Sequence, residues 1–581
     1  MCGIAGYIGR TGPNDSQIRA ALNSMYQRGP DAKGVYTHEQ GAGRVVLLHA
    51  RLSIIDLDPR SNQPFHEGSS HLVFNGEIYN YLEVRARLLK TGETFITQSD
   101  TEVLMRSLRN QGVQALDAME GMWAFAYYDE HTGLLTLSRD RFGEKPLYLH
   151  HEKDGVYFAS EVKTLSALSG KRFEVNTDHL LRYVVNGHKS LYKTEETFFH
   201  GVVELPFATN ATITPEGRYS EKTYWTPESK VQPMTMEEAV EGTRERLVES
   251  VKWRMRSDVP LAFCLSGGVD SASMVSIAAK RFNVTAHTFS IIDSDHRYDE
   301  LDNIQATIDD TGCASTKIML APGEENITRL ESLVAYHDAP VATISYFVHS
   351  LLSERIAANG FKISISGTGA DELFTGYYDH FNMHLYEMRN HPDFAIYKDQ
   401  WERHVLQFVR HPEFRKFDLF FADPARRDQI YLNSDEFKRM LVVDFNEGFT
   451  ETIYDDSLLR NRMMNELFHE VVRVILHEDD LNSMKYSIEN RSPFLDRSLF
   501  DWAYSIPAQH LIHEGYNKYI LRASMKGILN DTVRLSREKK GFNASINSIF
   551  DFTNPQHRAY FLDDSPIFDY FDKNKMEALM N

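Results

Sequence analysis

The sequence predicts two folds in succession: an α+β layered sandwich over residues 1–205, then an α/β doubly wound parallel sheet with a helical C-terminal part over residues 236–581. Three observations carry this. Up to about residue 165, short β-like runs are separated by Gly, Asp and Asn turns. Residues 206–235 turn rich in Pro, Thr, Glu and Ser, as in Thr226-Pro227-Glu228-Ser229, and are expected to be a linker. Beyond them, continuous apolar runs alternate with helical text, the pattern of buried parallel strands.

At 581 residues the chain is too long for one core, and its 42% hydrophobic content is that of a folded protein. A net charge of −19 argues against a nucleic-acid or anionic-membrane partner. The three cysteines, Cys2, Cys264 and Cys313, make neither a disulfide framework nor a zinc spacing, and a cytoplasmic setting is expected. There is no apolar run of about 18 residues for a membrane span, and the start lacks the basic and apolar regions of a signal peptide. Oligomeric state is open, a homodimer included.

In the first part, Val45-Val46-Leu47-Leu48, Leu72-Val73-Phe74, Met122-Trp123-Ala124-Phe125-Ala126-Tyr127 and Leu134-Leu135-Thr136-Leu137 read as strands. Tyr81 to Leu89 and Thr101 to Leu108 have apolar spacings near 3.6 and read as helices packed on the sheets. Cys2 directly follows Met1, so removal of Met1 would put a thiol and a free α-amine on one residue. An α-amine with a pKa of about 7.7–8.0 is partly unprotonated near neutral pH and can take the thiol's proton. That pairing suits acyl transfer from an amide, and a nucleophile that must come first is incompatible with a retained targeting segment. Arg51 offers a planar fork for an α-carboxylate. Asn75 and Gly76 offer a side-chain amide and an approachable backbone N–H, the makings of an oxyanion hole. Asp100 supplies an anion for an ammonium. The substrate these groups describe is glutamine.

In the second part, the apolar run Pro260-Leu261-Ala262-Phe263-Cys264-Leu265 ends at Ser266-Gly267-Gly268-Val269-Asp270-Ser271, and a helix follows with Met274, Val275, Ala278, Ala279 and Phe282 on one face. Strand, glycine loop and helix in that order make an anion site at a helix N-terminus. Further strands read as Val284 to Ile291, Thr316 to Leu320 and Phe361 to Ser366. Ligands bind at the carboxyl ends of such strands, which brings in Ser290 and Ile291 through their backbone, and Ser366, Gly367 and Asp371. Asp270 and Asp371 offer hard oxygen ligands for Mg²⁺ bridging phosphates.

Cys2, Arg28-Gly29-Pro30-Asp31, Arg51-Leu52-Ser53-Ile54, Asn75-Gly76-Glu77-Ile78-Tyr79-Asn80 and Ser99-Asp100-Thr101-Glu102 together resemble the N-terminal-nucleophile (Ntn) glutaminase domain of glutamine amidotransferases, an αββα sandwich. The resemblance implies attack by Cys2 on the glutamine amide, oxyanion stabilisation by Asn75 and Gly76, and binding of the amino-acid end by Arg51, Glu77 and Asp100. Ser138-Arg139-Asp140-Arg141-Phe142-Gly143-Glu144-Lys145-Pro146-Leu147-Tyr148 is another family signature, although its chemistry alone reads as a charged turn. Ser266 to Ser271 lacks the Gly-Lys-Ser/Thr ending of a Walker A loop. It resembles instead the pyrophosphate-binding loop of ATP pyrophosphatases, which implies ATP contacts by Ser266, Gly267, Gly268, Asp270 and Ser271. With Ser487 to Asp496, Lys518 to Arg522 and Arg537 to Phe542, the chain resembles the glutamine-hydrolysing asparagine synthetase family (class B type) over nearly its whole length.

What this implies is an amidotransferase that converts an acceptor carboxylate to a carboxamide through an acyl-adenylate, releasing AMP and pyrophosphate. Lys518 would neutralise charge developing in adenylation or in attack by ammonia. Apolar and small side chains should line the ammonia route. Glu489 and Arg491 are expected to be an internal ion pair in the wall of the site. Two departures bear on the acceptor: Thr368 stands where the family shows an acid, and Thr375-Gly376-Tyr377 where it shows Gly-Gly-Tyr. They leave open aspartate, or the uronic acid of a sugar or nucleotide sugar. A phosphoribosyl or sugar-isomerising amidotransferase would lack Ser266 to Ser271, and a lactam-forming ligase has no need of Cys2 with its oxyanion motif.

Overall fold

The computed structural model describes residues 2–580 except 41–42, 294, 296, 298–299, 324, 432 and 539–543, so Met1 and the 539–542 part of the Arg537 to Phe542 motif lie outside the described residues. The first part stacks two six-stranded antiparallel sheets. One orders Val203–Glu204, Tyr148–Glu152, Gly155–Ala159, Gly3–Gly9, Gly43–Arg51 and Ala32–Gln40. The other orders Tyr219–Thr223, Thr209–Ile213, Leu134–Arg139, Gly121–Asp129, Ser70–Ile78 and Phe65–Glu67.

Strand alternation builds the layers. In Gly3–Gly9, Ile4 and Ile8 enter the space between the sheets, where they join Val73, Ala124 and Leu137. Ala5 and Tyr7 take the other face, against Ile18, Leu22, Leu165 and Leu168 of helices Asp15–Ser24 and Val162–Ser169. Leu104 and Leu108 of helix Asp100–Gln111 cover Leu72, Phe74, Trp123 and Phe125 on the far side of the second sheet, which completes an αββα sandwich.

The segment expected as a linker begins with structure. Thr209–Ile213 and Tyr219–Thr223 pair with each other, and the first adds to Leu134–Arg139, burying Ala211 and Ile213 between the sheets. Irregular chain then runs to Thr235, whose side chain caps helix Met236–Arg254 in a reciprocal capping box with Glu238. The Ser138 to Tyr148 segment is no exposed charged turn. Asp140 accepts four backbone N–H groups, from Trp123, Phe142, Glu144 and Lys145, and Arg139 donates to the carbonyls of Lys145 and Leu205. With Asp140 and Arg139 satisfied in this way, the segment's charges are buried.

The second part is a five-stranded, all-parallel sheet in the order Ala314–Met319, His287–Ile292, Leu261–Cys264, Ile363–Ile365 and Glu489–Arg491. The strand order reverses beside Leu261–Cys264, so the loops after it and after Ile363–Ile365 open side by side at the switch point. The last strand was not expected, being three residues with two charges. Helices dominate the remainder of the chain. Among the described residues no helix is long and apolar enough to cross a membrane.

The two parts meet through an apolar cluster of Leu52, Ile54, Tyr79 and Met122 with Ile363 and Met484. Buried ion pairs flank it: Arg28 with Asp480 at 2.6 Å, Arg473 with Glu204 at 2.5 Å and Arg254 with Glu120 at 3.3 Å. The contact between the two parts is therefore apolar in places and charged in others.

Candidate functional site

Cys2 immediately precedes strand Gly3–Gly9 and is 7% exposed. Its N–H donates to Asn75 Oδ1 at 3.0 Å, its carbonyl accepts from Arg28 Nε at 3.0 Å, and its Sγ lies 3.9 Å from the Leu52 carbonyl. Burial pushes the thiol up. The other atom of the Asn75 amide, Nδ2, is buried without a hydrogen-bond partner. Leaving such a donor unmade costs about 1–3 kcal/mol, and it is what a site for a transient oxyanion requires. A Cβ on Gly76 would collide with the Met122 carbonyl, so only glycine fits beside Asn75.

Asp100 Oδ2 accepts the Ile78 N–H at 3.0 Å, and burial pushes its carboxyl up to about 6. Glu77 is raised well above the ordinary carboxylate range by burial and by the charges of Glu489 and Asp100. Buried carboxylates that repel one another are stabilised by a cation, which an α-ammonium supplies. Arg51 is more committed than the sequence suggests. Nη1 donates to Asn62 Oδ1 at 2.7 Å and to the Asp58 carbonyl at 3.2 Å, and Nη2 donates to the carbonyls of Ile55 and Asp56. It braces the 55–62 loop, and a carboxylate would share its fork with that loop.

The second site lies at the switch point. Gly267 has φ +91°, in the left-handed region, and a Cβ there would lie 2.8 Å from Glu300 Cβ. Gly268 caps helix Val269–Phe282 without a side-chain acceptor, which leaves the first N–H groups for an anion. Ser266 N–H and Oγ both lie 3.1 Å from Ser271 Oγ and close the loop. A Cβ on Gly367 would lie 2.9 Å from Asp270 Cβ, so the two loops touch. Lys518 Nζ sits between Asp270 Oδ2 at 2.6 Å and Asp371 Oδ1 at 2.8 Å, with 3% of the residue exposed. Burial opposes its charge, but the two carboxylates win and hold its pKa above the usual lysine value. Thr375 has φ +62°, which explains the family's glycine at that position, while a Cβ on Gly376 would collide with Asp371 Oδ1.

These loops open on a cleft of about 2170 Å³, its mouth included. Of the expected ATP contacts, Ser266, Gly268, Asp270, Ser271, Ile291, Ser366 and Gly367 line it, as do Asp371 and Lys518. Gly267 and Ser290 do not. Phe289, Ile291 and Asp293 alternate into the cleft, so Ser290, one position out of phase, turns its side chain away, which bears on its side chain and not on the backbone contact expected of it. Thr368 also lines the cleft, its Oγ1 3.2 Å from Ser366 Oγ, so a pair of hydroxyls stands where the family shows an acid.

Several lining residues were missed. His188 and Lys189 reach the cleft from the first part, and Tyr346, His349 and Asp479 from helices Ile344–Ala358 and Val472–Met484. Arg522 had a signal in the sequence, since it closes the Lys518 to Arg522 motif; the others carried none, because long-range packing brings them in.

The family model for the glutamine amidotransferase domain matches residues 1–225, and that for asparagine synthase matches residues 242–581. Asparagine synthetase [glutamine-hydrolyzing] 1 of Bacillus subtilis (strain 168) is 31% identical, over 94% of this chain and 87% of its own length. Amidase chry2 of Gibberella zeae is 28% identical, over 92% of this chain and 87% of its own. Among solved structures, the glutamine phosphoribosylpyrophosphate amidotransferase from B. subtilis complexed with ADP and GMP is 16% identical with a TM-score of 0.30, covering 56% of this chain and 67% of that one. With a glutamine amidotransferase domain in front and an asparagine synthase domain behind, this chain belongs to the asparagine synthase family and is a carbon–nitrogen ligase of its glutamine-hydrolysing type.

Proposed function

We propose that the protein moves the amide nitrogen of glutamine onto an acceptor carboxylate that it first activates with ATP as an acyl-adenylate. The observation that supports this reading is the pairing, in one chain, of Cys2 beside the unpartnered Asn75 amide with a glycine-loop cleft whose mouth holds Lys518 between two aspartates. With Met1 removed, the Cys2 amine takes the thiol's proton. The thiolate adds to the glutamine amide carbon, Asn75 Nδ2 and the Gly76 N–H hold the oxyanion, and ammonia leaves as the thioester forms. Glu77 and Asp100 hold the substrate ammonium, and Arg51 shares its fork with the carboxylate. Two expectations follow. Asn75→Ala lowers the glutaminase kcat about 10²- to 10³-fold, measured as glutamate release. The glutamine KM rises as pH falls through about 6, where Asp100 loses its charge, and Asp100→Asn, already uncharged, abolishes that rise.

In the cleft, the N-terminus of helix Val269–Phe282 and the loop N–H groups receive the phosphates of ATP, and Ile291 meets the adenine through its backbone. Asp270 and Asp371 fit Mg²⁺ as hard oxygen donors, each giving one oxygen to Lys518 and having a second. The metal, when bound, would neutralise phosphate charge. Lys518 then faces the α-phosphate and the attacked carbonyl. Adenylation makes sense because a carboxylate oxygen is a poor leaving group and AMP a good one.

Aspartate is the first candidate acceptor. The hydroxyl pair of Thr368 and Ser366 favours a second, the carboxylate of a sugar acid or nucleotide sugar, because such an acceptor brings hydroxyls of its own to pair. AMP and pyrophosphate release with Mg-ATP and glutamine, comparing aspartate with a panel of uronic acids and UDP-uronates, separates the two. Turnover with aspartate alone identifies asparagine synthesis, and turnover with a uronate alone identifies glycan amidation. AMP release with no member of the panel defeats both acceptor assignments.

A further inference from the structure

The Glu489–Arg491 strand belongs to the sheet that carries the ATP loops, yet one of its faces looks into the glutamine pocket. Alternation along the strand separates the two roles. Asn490 and Ser492 turn towards the ATP side: Asn490 Nδ2 reaches Asp479 Oδ2 at 3.1 Å and Ser366 Oγ at 3.4 Å, and the Ser492 hydroxyl lies 3.4 Å from Ser366 Oγ. Glu489 and Arg491, both fully buried, turn the other way.

Arg491 is held on two sides. Nε donates to Glu489 Oε1 at 2.6 Å, and Nη1 donates to the carbonyls of Arg254 at 2.8 Å and Arg256 at 2.6 Å. Nη2 makes no hydrogen bond and points at Glu77 Oε1 from 3.6 Å, too far to bond it but close enough to favour its charge. The second oxygen of Glu77, Oε2, is buried with no hydrogen-bond partner. Glu77 thus has a cation near it without being satisfied by it, which is the condition of a receptor for a second cation.

We propose that Glu489 and Arg491, carried by the ATP-binding part, are positioning residues of the glutamine pocket: Glu489 anchors the Arg491 guanidinium so that Glu77 stays unbonded to it and open to the substrate's α-ammonium. The expected structural ion pair thereby gains a part in substrate selection, and the glutaminase site is incomplete without the second half of the chain. Removing the Glu489 charge would let the guanidinium turn onto Glu77 and quench it. Removing the Arg491 charge would leave Glu77 buried without a cation, and it would take up a proton.

This rests on the glutaminase reading, and the test separates the two. The full-length protein is assayed for ammonia release from glutamine and from glutaramate, the same skeleton without the α-amine, and the ratio of the two kcat/KM values is compared across variants. Because any general loss of activity lowers both rates alike, the ratio reports the ammonium clamp alone. The wild type is expected to favour glutamine strongly. E489Q and R491Q should lower that preference about tenfold or more, and R491K should restore part of it. An unchanged ratio in the isosteric E489Q overturns the proposal and leaves the glutaminase reading intact. E489Q inactive on both substrates also overturns it, by assigning the pair to the architecture of the sheet. A wild type that hydrolyses neither substrate defeats the glutaminase reading itself.

Discussion

Cys2→Ala is expected to abolish glutamine-dependent product formation, by about 10⁴-fold or more, while product formation from ammonium chloride persists. The thiol is the nucleophile placed beside Asn75 and Gly76, and alanine leaves the Cys2 N–H bond to Asn75 Oδ1 and the Arg28 bond to the Cys2 carbonyl in place. The variant therefore keeps the pocket and the interface between the two parts and loses one reaction. The measurement is AMP release with glutamine against AMP release with ammonium, using the carboxylate that the wild type turns over. Equal loss of both would show that Cys2 supports the second site as well as the first.

Lys518→Met is expected to do the converse, lowering AMP formation about 10²- to 10³-fold while glutamine hydrolysis without ATP continues. Methionine nearly matches the volume but cannot bridge Asp270 and Asp371, whose side chains are 19% and 24% exposed. With the ammonium gone, the two carboxylates confront each other across a partly solvated gap. This gives a second readout, independent of turnover: MgCl₂ should raise the Tm of the variant more than that of the wild type, because a divalent cation then supplies the charge the lysine gave. Equal shifts in both proteins would argue against Asp270 and Asp371 as the metal's ligands.

The parts of the site that were legible in the sequence are those in which chemistry sits in one short segment. Cys2, Asn75-Gly76 and Ser266 to Ser271 are each such a segment, and the structure places the first two in contact and folds the third as strand, loop and helix. What was not legible came from tertiary placement. His188 and Lys189 carry no motif and reach the cleft only because the two parts of the chain dock. Thr209–Ile213 and Tyr219–Thr223 hid in text rich in Pro, Thr and Glu, where exposed positions of an edge strand look like a linker. The Glu489–Arg491 strand hid because its charged side chains mimic a surface loop, and burial is tolerated only because each charge meets a partner from elsewhere in the fold.

The most direct test of the whole account is to follow the nitrogen. Glutamine labelled with nitrogen-15 in its amide is incubated with the protein, Mg-ATP and the accepted carboxylate, in the presence of excess unlabelled ammonium, while AMP, glutamate and product are counted. AMP and glutamate are expected in equal amounts, with the label retained in the product carboxamide. ADP in place of AMP, or label lost to the bulk ammonium before it reaches the product, would contradict the account.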